Sequence, residues 1–359
     1  MQTTTTSLAA VLLTGATIVG QSLTVVPAAN ATADALRFCA LPGATSPFRH
    51  QVLIGASHLA SLVGQDILAI EFRRSAADET YVGGAIQMTV DLSISPNTPL
   101  ESSATFSQNV GAATASGPEF SGTVTIPTSP PEVGPNVAWD ADNTVRIALT
   151  TPFHYAGGTL CIDMVGTPVS GQELHWWMAD AAFEDVSGTT VDLGGGCGAY
   201  GGSQSSWSFV ASRSLIPGGY AQFFAFGSPY GLALAAHGSR SPIGTPLSLL
   251  GFNAQPGCEL FLSTLDVLTP TVFLPDPALP ERGGRADIEF KVAPDPAVLG
   301  FTMTTQWLDW SQMATSNAVE WTVAASIPTL DMALIEGHPQ SATGSVAAAM
   351  SYVVRFEHQ

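Results

Sequence analysis

Short apolar runs that alternate with polar residues are the feature that most constrains this chain. In Thr89-Val90-Asp91-Leu92-Ser93-Ile94, an extended backbone puts Val90, Leu92 and Ile94 on one face and Thr89, Asp91 and Ser93 on the other. Strands are predicted on the same grounds over 67–72, 86–94, 123–126, 145–149 and 160–164, and again over 220–226, 232–237, 258–265, 286–292 and 301–308. Clusters of Gly, Pro, Asn and Asp separate them, drawn from 35 Gly and 25 Pro. Helical periodicity is scarce. With 359 residues the chain exceeds one ordinary sandwich. The expectation is an all-β protein with two jelly-roll-like β-sandwich domains in tandem.

Boundaries follow from composition. Leu8 to Gly20 is an apolar run of signal-peptide length, too short to span a bilayer, although no Lys or Arg precedes it. Residues 1–20 are therefore expected to be a signal peptide, and the mature protein extracellular or at the cell surface. A first sandwich is expected over 21–193. Residues 194–206 contain GGGCGAYGGSQSS and read as a Gly/Ser-rich linker. A second sandwich should fill 207–325, with the proline-rich stretch Pro270–Pro280 as a loop. Residues 326–359 form a tail whose segment Ser351–Phe356 has the pattern of one last strand, completing a sheet of its own chain or adding to a neighbour's edge.

Charge excludes several functions. The net charge is −18 and Lys291 is the one lysine, so nothing neutralises a phosphate backbone or an anionic membrane. No nucleic-acid partner and no transmembrane segment is expected. Charged residues make up 11% of the chain against about 25% in ordinary soluble domains. Acidity of this kind keeps an exported protein soluble.

The cysteines are Cys39, Cys161, Cys197 and Cys258. None forms a CxxC pair, which removes zinc-finger and thioredoxin readings. An even count in an exported chain points to two disulfides, for which three pairings are open. Cys39–Cys161 with Cys197–Cys258 is the expected pairing, because each bridge then staples one sandwich.

Several short segments resemble one another's counterparts in a known group of proteins. They are Val26-Pro27-Ala28-Ala29, Ser46-Pro47-Phe48-Arg49, Ile70-Glu71-Phe72-Arg73, Phe106-Ser107-Gln108-Asn109-Val110-Gly111 and Pro152-Phe153-His154-Tyr155 followed by Gly157-Gly158-Thr159-Leu160. In the second half they are Pro256-Gly257-Cys258, Gln306-Trp307 and Thr315-Ser316-Asn317-Ala318. On these the chain, up to about Ala325, resembles a family of exported β-sandwich proteins from planctomycetes and similar marine bacteria. That resemblance implies export and a sandwich fold and carries no established activity, hence no functional residues. The tail after Ser326 departs from the pattern.

Chemistry-bearing motifs are few. Gly196-Cys197-Gly198-Ala199-Tyr200-Gly201 matches GxGxxG, but no helix follows it to face a pyrophosphate, so it reads as linker. No residue follows the Walker A pattern, and GxSxG and HExxH do not occur. Ser57-His58 and His237-Gly238-Ser239 bring serine near histidine in sequence, yet strand neighbours point apart. Asp140, Asp142 and Asn143 are the candidate calcium ligands, since alternate oxygens in a turn can converge on a hard cation; an Asx-rich turn explains the same residues. Calcium is the one cofactor considered. Trp176, Trp177, Trp307 and Trp310 are candidate glycan platforms, with nearby Glu173 and Asp309; one of two neighbouring Trp on a strand must face the core. Glu71, Asp163, Glu173, Glu184 and Asp185 leave room for a carboxylate pair of the glycosidase kind, which sequence cannot pick out.

The leading expectation is thus a non-enzymatic structural or adhesive β-protein of the cell surface or matrix, self-associating or attached to the envelope. The alternatives are a secreted glycan-binding protein using exposed Trp, with a polysaccharide partner, and an extracellular hydrolase with dispersed catalytic residues.

Overall fold

The computed structural model describes residues 20–35, 37–111, 117–171, 177–197, 199–200, 204–205, 208–275 and 283–359. The expected signal peptide falls outside them except for Gly20. The fold is all-β. The chain first lays down β1 (Ser22–Val26), β2 (Arg37–Ala40), β3 (Phe48–Ile54), β4 (Gln65–Arg73), β5 (Gly84–Ser95), β6 (Phe120–Ile126), β7 (Thr144–Tyr155), β8 (Thr159–Pro168) and β9 (Met178–Phe183). It continues with β10 (Thr189–Gly194), β11 (Ala199–Tyr200), β12 (Gln204–Ser205), β13 (Ser208–Val210), β14 (Tyr220–Gly227), β15 (Leu232–Gly238), β16 (Arg240–Pro246), β17 (Glu259–Leu262), β18 (Val267–Val272), β19 (Leu274–Pro275), β20 (Gly284–Lys291), β21 (Thr302–Asp309), β22 (Ala314–Thr315) and β23 (Ala318–Thr322). It ends with β24 (Met332–Gly337), β25 (Ser345–Ala348), β26 (Met350–Tyr352) and β27 (Val354–His358).

The first sandwich sets a six-stranded sheet, in the order β25-β24-β3-β8-β5-β6, against a four-stranded sheet, β1-β27-β4-β7, and a three-stranded one, β2-β9-β26. Val90, Leu92, Val52, Ile54, Leu160 and Ile162 of the first meet Ile70, Phe72, Ile147, Val354 and Phe356 of the second in one core. The alternation in β5 therefore does what its sequence predicts. The second sandwich sets β13-β14-β20-β19 against β10-β23-β21-β15-β18, with β16 and β17 as a separate hairpin. Phe223, Ala225 and Ala286 meet Ala233, Ala235, Trp307 and Trp321 in its core.

The two sandwiches are not strung end to end. The tail at 326–359 returns to the first one: β24 pairs with β3, β26 with β9, and β27 lies between β1 and β4. The predicted final strand 351–356 is split at Val353 between β26 and β27, which join two sheets, and β27 fills an interior position of a distant sheet of the same chain. Nothing local selects that partner, because Val354 and Phe356 fit any apolar face. The boundary at 193 also moves. β10 pairs with β23, so residues 189–194 belong to the second sandwich rather than the first. In the glycine-rich segment, Ala199–Tyr200 pairs with Gln204–Ser205 as a small ribbon. The predicted loop at Pro270–Pro280 begins instead inside β18, which runs through Pro270 opposite Leu234. Proline fits there because β18 is an edge strand and the missing N–H is turned to the open side.

One expected disulfide is present and one is not. Cys197 and Cys258 are bonded across a separation of 61 residues and tie the segment after β10 to the β16–β17 hairpin. Cys39 and Cys161 are free and buried. Cys39 packs in the main core with Leu160 and Ile162, whereas Cys161, one residue out of phase, points to the other side of β8 among Leu53, Phe106, Ala333 and Ile335. The six-stranded sheet stands between the two sulfurs. Burial pushes the Cys39 thiol up to about 12 and raises Cys161 as well, so both stay as unreactive thiols.

Two outcomes follow. Protein denatured without reductant will titrate as two free thiols in a thiol-counting assay, and native protein as none. Phe356→Ala will cost about 3–5 kcal/mol in a denaturant melt, whereas Val267→Ala on the free edge will stay within about 0.5 kcal/mol of wild type.

Candidate functional site

The tryptophans separate by strand phase. Trp177 is buried, its Nε1 donates to Ser129 Oγ at 3.0 Å, and its ring meets Tyr81 edge-on. Trp307 shares the inner face of β21 with Met303 and Thr305 and lies in the second core. Neither can stack on a sugar, so both glycan assignments are corrected to core packing. Trp176 lies outside the described residues. Trp310 follows the end of β21, is 47% exposed, and meets Phe252 edge-on with ring centres 6.3 Å apart. It is the one of the three described candidates that presents a ring to solvent.

Asp140, Asp142 and Asn143 form a hydrogen-bonded turn. Asp140 Oδ1 accepts the Asp142 and Asn143 backbone N–H groups at 3.2 and 3.0 Å, and Asn143 Nδ2 donates to Glu132 Oε1 at 3.3 Å. This is the Asx turn, which engages Asp140 Oδ1, while Asn143 Oδ1 is buried without a hydrogen-bond partner among the described residues. Among the described residues, no group of three or more His, Cys, Asp or Glu gathers where a metal ion could sit.

The serine–histidine neighbours do not meet. Ser57 Oγ donates to Asp331 Oδ2 at 2.5 Å while His58 Nε2 lies 2.5 Å from the Leu330 carbonyl. Two threonine–histidine contacts do form, Thr24 Oγ1 with His358 Nε2 at 3.0 Å and Thr305 Oγ1 with His237 Nδ1 at 2.8 Å. In both, the second ring nitrogen is buried without a partner among the described residues, so none of them supplies the carboxylate that orients the imidazole in a triad. His50 has the most elaborate surroundings. Tyr352 donates its hydroxyl proton to the Ala40 carbonyl at 2.6 Å and therefore accepts from His50 Nδ1 at 2.5 Å. His50 Nε2 lies 3.3 Å from Glu336 Oε1. Thr45 and Ser46 line the same small polar hollow of about 150 Å³. His50 Nδ1 has Tyr352 as its partner and Nε2 faces the Glu336 carboxyl, and among the described residues no serine or threonine hydroxyl and no thiol hydrogen-bonds to either nitrogen. These contacts were hidden in the sequence because each joins strands far apart in the chain.

The second sandwich carries two apolar hollows. The outer one, about 210 Å³, lies on the outside of β15 and β21 against the β16–β17 hairpin, with Leu247, Phe252, Leu268 and Trp310 in its wall. Half-exposed Leu250 and Leu265 also line it, and exposed Leu249 adjoins Leu250 in sequence. The inner one, about 240 Å³, opens between the two sheets and has His237 and Lys291 as its ionisable lining residues. Burial holds His237 down to about 4 and His50 down to about 3. Lys291 Nζ donates to the Ser102 carbonyl of the first sandwich and lies over the Tyr220 ring, and burial lowers its pKa to about 8.

No family model matches the chain, and no curated protein matches it. Among solved structures it aligns with a chain of the naturally occurring empty particles of cowpea mosaic virus, the top component. The identity is 9%, over 89% of this chain and 90% of that one, with a TM-score of 0.13. A score that low carries no argument about fold or function.

The two buried histidines set a pH dependence. Their folded pKa values lie below the roughly 6.5 of an unfolded chain, so below pH 6.5 the unfolded state binds protons that the folded state refuses. Their contribution is complete above pH 6.5 and is lost as pH falls toward about 4 for His237 and about 3 for His50. His237→Leu will make the fall of melting stability between pH 6.5 and 4.5 shallower by about 1 kcal/mol per pH unit, read by thermal melts of variant and wild type in matched buffers.

Proposed function

We propose that the chain is an exported, non-enzymatic adhesive or structural β-protein whose second sandwich attaches it to further copies of itself. The observation that carries this reading is the concentration of exposed apolar side chains on one side of that sandwich: Leu249 at 77%, Leu265 and Leu268 at 55%, and Trp310 at 47%. Monomeric soluble proteins rarely leave such groups clustered. The segments that supply Leu249 and Leu268, 247–257 and 267–275, contain no charged residue. In a chain with net charge −18 these uncharged stretches let two copies approach with few carboxylates opposed, although Asp266 stands exposed between Leu265 and Leu268.

Contact through the face, not the edge, fits the strand chemistry. Pro270 removes the central outward N–H of β18, which discourages strand addition there. The Cys197–Cys258 bond supports a life in an oxidising compartment. Among the described residues no helix is long and apolar enough to cross a membrane. Export and cell-surface location rest on the sequence and on the resemblance to exported planctomycete proteins. Among the described residues, glycan binding keeps Trp310 as its platform.

Light scattering across a concentration series tests the proposal. Wild type will gain mass with concentration, and the double variant Leu249→Asp, Leu268→Asp will stay monomeric with an unchanged melting temperature. A wild-type protein that remains monomeric at high concentration and is recovered only from the culture medium would overturn it.

A further inference from the structure

Near one edge of the six-stranded sheet, His50 of β3 and Glu336 of β24 stand directly opposite each other in register. Tyr352 donates its hydroxyl proton to the Ala40 carbonyl at 2.6 Å, and His50 Nδ1 lies 2.5 Å from the same hydroxyl oxygen. A phenol has one proton to give, so Nδ1 is the donor in that second bond. Neutral His50 therefore carries its proton on Nδ1 and a lone pair on Nε2. Burial holds the ring down to about 3, so that lone pair stays free of a proton at neutral pH. Nε2 faces the Glu336 carboxyl, with Oε1 at 3.3 Å. Among the described residues that carboxyl has no other ion pair or hydrogen bond. Both groups line a polar hollow of about 150 Å³ with Thr45 and Ser46, and the Glu336 side chain, 39% exposed, reaches its mouth.

Two acceptor atoms this close repel unless something positive joins them, and the distance decides what fits. A proton on Glu336 shared directly with Nε2 would draw the two atoms below about 3.0 Å. A water or an ammonium group donating to both along straight bonds of about 2.9 Å would hold them roughly 4.5–4.7 Å apart. Ligand atoms about 2.1 Å from one tetrahedral zinc ion stand roughly 3.4 Å apart. The observed 3.3 Å matches the last of these. The outer shell matches too. A metal-binding imidazole donates its other N–H to a fixed acceptor, and Tyr352, itself tied to Ala40, is such an acceptor.

We propose that His50 Nε2 and the Glu336 carboxylate bind a divalent first-row transition-metal ion of the zinc kind, with water in the remaining positions. Imidazole and carboxylate donors suit Zn²⁺ better than Ca²⁺, which takes six to eight oxygens. The hollow has volume for more than one water, and the Thr45 and Ser46 hydroxyls in its wall offer such waters hydrogen bonds. Two side chains make an open, exchangeable site, short of the three or four protein ligands of a catalytic or structural zinc centre. The site belongs to the first sandwich, and binding here does not depend on self-association through the second.

Zn²⁺ is titrated into the full, tag-free protein by calorimetry, with the histidine side chains followed in long-range ¹H–¹⁵N spectra. Without metal, His50 will show the Nδ1–H tautomer. Zn²⁺ will bind saturably and move the His50 Nε2 resonance, and Ca²⁺ and methylammonium at the same concentrations will not. Glu336→Gln removes one ligand and will weaken the Zn²⁺ response of His50 at least about 10-fold. Tyr352→Phe frees the imidazole to switch tautomer and will weaken that response by about 10-fold or more. Following His50 itself separates this site from the exposed His154–Asp66 pair, whose own response to Zn²⁺ will be the same in Glu336→Gln as in wild type. Should Tyr352→Phe fail to fold, the wild-type spectra and Glu336→Gln still decide. A His50 resonance unmoved by Zn²⁺, an Nε2–H tautomer, an equal response to Ca²⁺ or methylammonium, or an unchanged affinity in Glu336→Gln would each overturn the proposal.

Discussion

Strand β27 lies between β1 and β4, so the first sandwich joins the two ends of the chain in the interior of one sheet. Val354 and Phe356 are fully buried there. The four-stranded sheet is split until the last residues arrive, and every residue of the second sandwich must already have been threaded out between β9 and β24. Pairings such as Ser22 with His358 close the longest loops the molecule contains. Contacts of that range are slow to form. The second sandwich draws all its strands from one continuous stretch, 189–322, and carries its own disulfide, so its folding does not wait for the chain end.

The same strand organises the charge. Across β7, β4 and β27, Arg146, Glu71 and Arg355 stand in register, with Glu357 beside Arg146. Arg355 Nε donates to Glu71 Oε2, and Arg146 Nη2 to Glu357 Oε2 at 2.6 Å. Nearby, fully buried Arg73 donates to Asp180 and to the carbonyls of Asn30, Thr32, Ala33 and Val137, tying the segment after β1 to the sheet. Arg73 and Arg355 both lie over the Trp139 ring. Much of the small basic complement is thus held inside or against the first sandwich. That placement leaves the second sandwich free to expose uncharged surface.

The two bodies meet at a junction that uses Lys291. Its ammonium reaches the Ser102 carbonyl, and Tyr220, beneath it, accepts the Ala104 backbone N–H at 2.8 Å. Gly218 is required beside it: its φ is +80°, and a Cβ there would fall 2.3 Å from the Leu100 carbonyl oxygen. The seam joins a loop of the first sandwich to the start of β14. Nothing in the sequences of either loop marks them as neighbours.

What the amino-acid sequence determined by itself was local. Period-two alternation gave the all-β class and the inward face of β5, because a strand with a clean alternation needs only its own pattern to choose which side is buried; in β15 the smaller Ala233 and Ala235 face inward and Leu232 outward. It also held the warning in Pro270, which suits an edge strand as well as a loop. Tertiary structure alone decided what the strands paired with: the return of 326–359 to the first sandwich, the separation of Cys39 from Cys161 by a sheet, the burial of Trp307 beside an exposed Trp310, and the meeting of His237 with Thr305. Each depends on register between segments distant in the chain, and register is set by the summed packing of two faces, a quantity that no single stretch of residues contains.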